Sequence, residues 1–307
     1  MDITGGSEQT EMKKKKIFQL FGNREAKQDD ATVPALKRTH KQTETAGKAN
    51  PSQFVVGSGQ SVGRQRSHNE DALFTLSSVI SDMNGSHPFC LSIVADGMGG
   101  HKHGEVASGA CIRAVVNVVL NELFFAYNDL QPGITTEIIH AILEKAVAEA
   151  QKAVTAHAPG GGTTLVIGLV VEDNLHVAHV GDSRAYLFTP AGELTRLTRD
   201  HSLVQRMVDL QEISEKEAAN HPQKNVLLRA VGQPDTYPVD ITTIKIPAGG
   251  KMMLCSDGLW GVVPDQEIRR IISSASDPIT LSNELVAAAN LAGGPDNISV
   301  TITVFPV

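Results

Sequence analysis

Aromatic residues make up only 4% of this 307-residue chain, with a single tryptophan at position 260. A platform of stacked rings for single-stranded nucleic acid is therefore not expected. Cysteine is as scarce: Cys90, Cys111 and Cys255 are odd in number, far apart and set in apolar runs. They read as reduced core residues, which excludes a disulfide framework and points to the cytoplasm. No apolar run approaches the roughly 18 residues that a membrane helix needs, because the longest helical stretch is broken by Arg113, Asn117 and Glu122. The N-terminus also lacks the basic start, apolar core and small-residue cleavage site of a secretory signal. The formal net charge is −7, unevenly spread, with +3 on the first fifty residues and −10 on the rest. An acidic body repels nucleic acid phosphates but suits a site that concentrates divalent cations.

Hydrophobic content of 41% is enough for a sizeable core. Residues 1–53 are polar, without sustained periodicity, and read as a disordered tail. Its basic block Lys13-Lys14-Lys15-Lys16, followed by Ile17-Phe18-Gln19-Leu20-Phe21, reads as solvated chain in preference to a docking element. Residues 54–307 read as one folded domain. Short strands are expected around 54–56 and 72–76, helices over 105–127 and 135–156 with a loop at 128–133, and strands over 163–171, 175–180 and 185–189. A polar, partly helical insertion follows at 199–233, then strands at 239–246 and 251–255, helices at 265–273 and 278–292, and a closing strand at 297–305. Helices come in two pairs between groups of strands, which excludes simple βαβ alternation. The expected fold is α+β: two packed, mostly antiparallel sheets with a pair of antiparallel helices on each outer face.

Acidic and glycine motifs punctuate this pattern. Leu91-Ser92-Ile93-Val94, Leu175 to Val180 and Met252-Met253-Leu254 are β-like runs that stop near Asp96-Gly97, Gly181-Asp182 and Asp257-Gly258, and Gly294-Pro295-Asp296-Asn297 adds a fourth aspartate. Taken singly, Asp-Gly is a common turn dipeptide. Recurrence at strand ends argues otherwise, because carboxylates gathered at one rim repel unless a cation joins them. Oxygen-only ligands favour Mg2+ or Mn2+ over zinc. His101 and His103 form a weaker zinc pair, with no third His or Cys nearby in sequence.

With Arg66-Ser67-His68-Asn69-Glu70-Asp71, Asp96-Gly97-Met98-Gly99-Gly100-His101, Gly104-Glu105, Gly162-Thr163-Thr164, Gly181-Asp182-Ser183-Arg184, Ser256-Asp257-Gly258 and Gly294-Pro295-Asp296-Asn297 in order, the chain resembles the PPM (type 2C) family. These are metal-dependent serine/threonine protein phosphatases, and the resemblance is to their bacterial form. It covers roughly residues 54–307 and implies the same sandwich. It further implies two Mn2+ or Mg2+ ions, with Asp96 bridging both, the Gly97 carbonyl on the first, Asp257 and Asp296 on the second, and hydrolysis by a metal-bridging water or hydroxide. Glu70 and Asp71 would act in the outer shell, Arg66 would hold the substrate phosphate, and Asn297 would fix Asp296. Met98 stands where many eukaryotic relatives carry a His proposed as general acid, which leaves protonation of the leaving group to water or a metal-bound water. Asp182 and Asp257 belong to a weak third ion site, but relatives commonly place an aspartate where this chain has Gly261. The implied partners are phosphorylated proteins, kinases or kinase substrates, with no nucleic acid, no membrane span and a monomeric state. The alternative is a catalytically impaired type 2C-like binding or regulatory module.

Overall fold

The computed structural model describes residues 53–82, 85–99, 102–128, 134–234 and 239–307. The polar tail, His101 and most of the loop expected at 128–133 lie outside the described residues. One sheet has the order β1-β11-β10-β7-β8, built from Val55–Ser61, Ile298–Val304, Lys251–Cys255, Arg184–Phe188 and Leu194–Arg196. The other has the order β2-β3-β5-β6-β9, built from Asp71–Asp82, Gly85–Met98, Leu165–Val171, Asn174–Val180 and Asp240–Lys245, with the short β4 (Gly162–Thr163) pairing β3. All pairings are antiparallel.

Strand periodicity explains the layering. Along β3, Cys90 and Val94 turn inward to meet Met252 and Leu254 of β10, Val166 and Val170 of β5, and Phe305, in the core between the sheets. Leu91 and Ile93 point the other way, toward α1 (Lys102–Asn128) and α2 (Thr136–His157). Met253 and Cys255 likewise turn outward from β10 onto α6 (Asp265–Ser274) and α7 (Pro278–Leu291). Successive residues of a strand face opposite sides, so each sheet buries both faces and each outer face carries a helical pair, as the sequence pattern implied. The three cysteines are free and buried.

Three local expectations need correction. The strands expected at 54–56 and 72–76 are longer, spanning seven and twelve residues, because pairing with β11 and β3 extends them past their apolar centres. Asp257 opens a one-turn helix, α5 (Asp257–Trp260), two residues beyond the end of β10. By length and composition the stretch 103–127 of α1 is apolar enough to cross a membrane, with a mean hydropathy of 1.5 in its most apolar window. Arg113, Asn117 and Glu122 lower that mean too little to bring the stretch below the apolarity of a membrane helix. Ala107, Cys111, Val115, Val119 and Leu123 bury a stripe of this helix in the core against the sheet.

Candidate metal-binding active site

The sheet registers bring the motifs to one rim. Asp71, first residue of β2, lies opposite Asp96 near the end of β3. Cys255, last residue of β10, stands between Arg184 of β7 and Val300 of β11. Asp182, Asp257 and Asp296 each lie two residues from one of these strand ends or from Ile298, which opens β11. The resulting cleft of about 620 Å3 is lined by Arg66, Glu70, Asp96, Gly97, Asp182, Asp257, Asp296 and Asn297. Asp71 lies buried beneath it, where its Oδ2 accepts a 2.8 Å hydrogen bond from Ser256. Gly261 lines a neighbouring cavity of about 430 Å3 that shares Asp257 with the cleft.

Close backbone approach makes this convergence possible. A Cβ on Gly97 would lie 2.2 Å from the Gly104 carbonyl oxygen, and one on Gly258 1.9 Å from that of Asn297. The main chain at Asp96 is clamped from below. Its N–H donates to Thr164 Oγ1 at 2.9 Å, and its carbonyl accepts from Thr164 N and Thr163 Oγ1 at 2.8 and 2.9 Å. Thr163 and Thr164 of the Gly162-Thr163-Thr164 motif thus hold the main chain of Asp96.

The electrostatics are those of crowded acids. Burial pushes the Asp71 carboxyl up to about 7 and that of Asp257 to about 6, and neighbouring carboxylates push in the same direction. Asp96 and Asp182 are also raised well above the usual carboxylate range, first by burial and then by the other aspartates. Asp71 Oδ1 and Asp257 Oδ1 are buried without a hydrogen-bond partner. A hard divalent cation suits this donor set: it offers oxygen ligands only, gathered charge and an unsatisfied buried oxygen.

Arg66 stands at the mouth, half exposed, with Nη2 donating to Asp296 Oδ2 at 2.8 Å. Asn297 reaches Asp296 through its main chain. Its backbone N–H, not its side chain, donates to Asp296 Oδ1 at 2.9 Å. The side chain donates to the carbonyls of Val62 and His68 and accepts from Glu70 N. It thereby ties down the loop that carries Arg66.

Comparison with known proteins decides the family. The Protein phosphatase 2C profile matches residues 58–287. The chain belongs to the protein phosphatase 2C family. It is 36% identical over 246 residues to the serine/threonine phosphatase stp of Listeria monocytogenes, covering 78% of this chain and 91% of the relative. The serine/threonine phosphatase PstP of Mycobacterium tuberculosis is 31% identical in crystal structure, with a TM-score of 0.66 over 83% of this chain and all of that one. A further structure holds the catalytic domain of PstP in complex with two manganese ions, with 30% identity and a TM-score of 0.63 over 82% of this chain and 99% of that one.

Several residues of this phosphatase 2C chain escaped the sequence reading. Ser256 sits inside a motif, so its contact with Asp71 had a signal. Asn225, Leu227 and Gln233, which also line the cleft, come from the polar insertion, where no periodicity marks them. His103 Nδ1 lies 3.2 Å from the carbonyl oxygen of Pro159, and His101, the other half of the expected zinc pair, lies outside the described residues. A different group, His179, His201 and Asp240, brings potential ligand atoms within 4.8 Å of one another. Its hydrogen bonds argue against an ion. Gly181 N–H donates to His201 Nδ1 and the Arg199 carbonyl faces His179 Nε2, so in both rings Nε2 carries the hydrogen. Burial lowers both imidazoles below their usual range, which keeps them neutral. The group is a hydrogen-bonded bracket.

Proposed function

We propose that this chain hydrolyses phosphoserine and phosphothreonine in proteins with the aid of divalent cations. The observation that carries the reading is the convergence of Asp71, Asp96, Asp182, Asp257 and Asp296 on one rim, with Arg66 at the mouth of the cleft they form. Asp96 would hold both ions, the Gly97 carbonyl the first, and Asp257 and Asp296 the second, with Glu70 and Asp71 in the outer shell. When bound, such ions neutralise the phosphoryl group and activate water at neutral pH. Arg66 has five donors and uses Nη2 on Asp296, so the rest of its planar fork is available to orient the substrate phosphate. Asn297 keeps that arginine's loop against β11 while the phosphate is held. Met98 lines the cleft but has no proton to give, so the departing serine or threonine alkoxide takes its proton from water.

The oxygen donor set supports Mn2+ or Mg2+, with Mn2+ favoured by the manganese bound to the PstP catalytic domain. The substrates would be products of serine/threonine kinases, met in the cytoplasm, where buried free thiols such as these persist. Residues 54–307 would suffice for the reaction, as a monomer. Phosphate release from a phosphothreonine peptide with Mn2+, with Mg2+ and with chelator tests the reading. Hydrolysis that requires the ion supports it. Absence of hydrolysis at millimolar Mn2+ would instead favour the regulatory module.

A further inference from the structure

Gly181 adopts φ +107, a conformation that disfavours any side chain, and a Cβ there would lie 2.8 Å from the Thr164 side chain. One residue, His201, holds both of its backbone polar groups. Gly181 N–H donates to His201 Nδ1 at 3.2 Å, and His201 N–H donates to the Gly181 carbonyl at 2.9 Å. The next residue is Asp182, whose carbonyl accepts from Trp260 Nε1 at 3.1 Å and whose carboxyl is buried in the field of Asp257 and Asp96. The backbone that aims this carboxyl is therefore pinned before it by His201 and after it by Trp260.

His201 is itself held on every side. Its Nε2–H donates to Asp240 Oδ2 at 3.2 Å, and Asp240 Oδ1 accepts from Arg229 Nη1 at 3.2 Å. Its ring stacks on His179 at 4.6 Å between centroids and 24° between planes. Its carbonyl accepts from Leu228 N–H at 2.8 Å, and Ser202 bridges to Leu227. The same residue thus anchors the start of the insertion to the end that carries Asn225 and Leu227 into the cleft.

We infer that His201, oriented by Asp240, is a positioning residue: by holding both polar groups of Gly181 it fixes the Asp182 carboxylate and so sets the affinity of the cleft for divalent cations. The inference rests on the cation-dependent reading above. Mn2+ binding to the full chain, measured by calorimetry, tests it without requiring turnover, while peptide hydrolysis by the wild type tests that reading separately. His201→Ala is expected to weaken Mn2+ binding by at least about tenfold, the scale on which partners of ligand residues act. His201→Asn, whose Oδ1 can replace Nδ1 as acceptor for Gly181, should recover most of the loss. His201→Gln, which reaches Asp240 instead, should not. In an Asp182→Asn background, His201→Ala should leave Mn2+ binding unchanged, since coupled residues are non-additive. Should the alanine variant fail to fold, the Asn and Gln variants in the two backgrounds carry the same comparison. Equal loss in both backgrounds, or equal behaviour of the Asn and Gln variants, would overturn the inference and leave His201 a purely structural residue.

Discussion

Asp257 shows how a residue can be costly to the fold and yet suited to the proposed metal site. Its Oδ1 is buried without a partner, and an unsatisfied buried acceptor costs about 1–3 kcal/mol. Asp96 shares that burial and the repulsion of four neighbouring aspartates. Asp96→Asn or Asp257→Asn is therefore expected to lower phosphopeptide hydrolysis by more than ~10²-fold, the scale of losing one transition-state stabiliser. The melting temperature in chelator should be unchanged or higher, because a charge that repels its neighbours is gone. Near-wild-type turnover in either variant at saturating Mn2+ would remove both residues from the site. Gly261 poses a steric question. Its φ of −71 is one that any residue adopts, so positive φ does not explain the glycine. A Cβ there would lie 2.7 Å from the Asp257 carbonyl oxygen, so a side chain must displace the turn that carries Asp257. Gly261→Ala should destabilise the protein by about 1–3 kcal/mol, as overpacking does, and raise the Mn2+ concentration needed for half-maximal turnover. Gly261→Asp adds a hard oxygen ligand at the same steric cost, so the difference between the two variants in a Mn2+ titration isolates the carboxylate. Coincident curves would mean that position 261 contributes no metal ligand.

At the scale of elements, the site is a set of strand ends tied together by short loops, and Asn297 is the strongest tie. It joins β11 to the carbonyls of Val62 and His68 and to the amide of Glu70, across a loop whose Arg66 is half exposed. Asn297→Ala should release that loop and raise KM for a phosphopeptide more than it lowers kcat, since the arginine proposed to orient the phosphate loses its anchor while Asp96 and Asp257 keep their places. An unchanged KM would show that the loop holds itself. The strand-end aspartates were legible in the sequence because an apolar run that stops at an acid is a local pattern. So were the helical pairs, whose apolar spacing is regular. The register that sets Asp71 opposite Asp96 could not be read locally, because it depends on pairing between strands. Nor could the aim of the Asn297 side chain, nor the role of His201, which lies 20 residues from the Gly181 it holds. The insertion was legible only as polar, because α3 (Leu203–Asp209) and α4 (Glu215–Ala219) bury little: Val204 is the one buried residue of the first and the second has none.

For the whole molecule, the cost of gathering five aspartates appears as a dependence of stability on pH. The Asp71 and Asp257 carboxyls are raised from an ordinary 3.8 to about 7 and about 6, chiefly by burial. Between those limits the folded chain holds protons that the unfolded chain has released. Linkage then requires stability to fall as pH rises across that window, with the full contribution present only below the unfolded value. In chelator, the melting temperature should accordingly decline from about pH 4 to about pH 7, the interval between the ordinary and the raised values. Mn2+ should act in the opposite sense. It binds the deprotonated carboxylates, so it competes with protons, and its stabilising effect should grow with pH. Thermal melts with and without Mn2+ across that range would show two curves that lie close together in acid and separate toward neutrality. A gap independent of pH would mean that the ions bind elsewhere than at these buried acids. The Asp96→Asn variant provides the internal control: with the carboxylate proposed to hold both ions gone, the separation should shrink at every pH, whereas a site elsewhere on the acidic body would keep it whole.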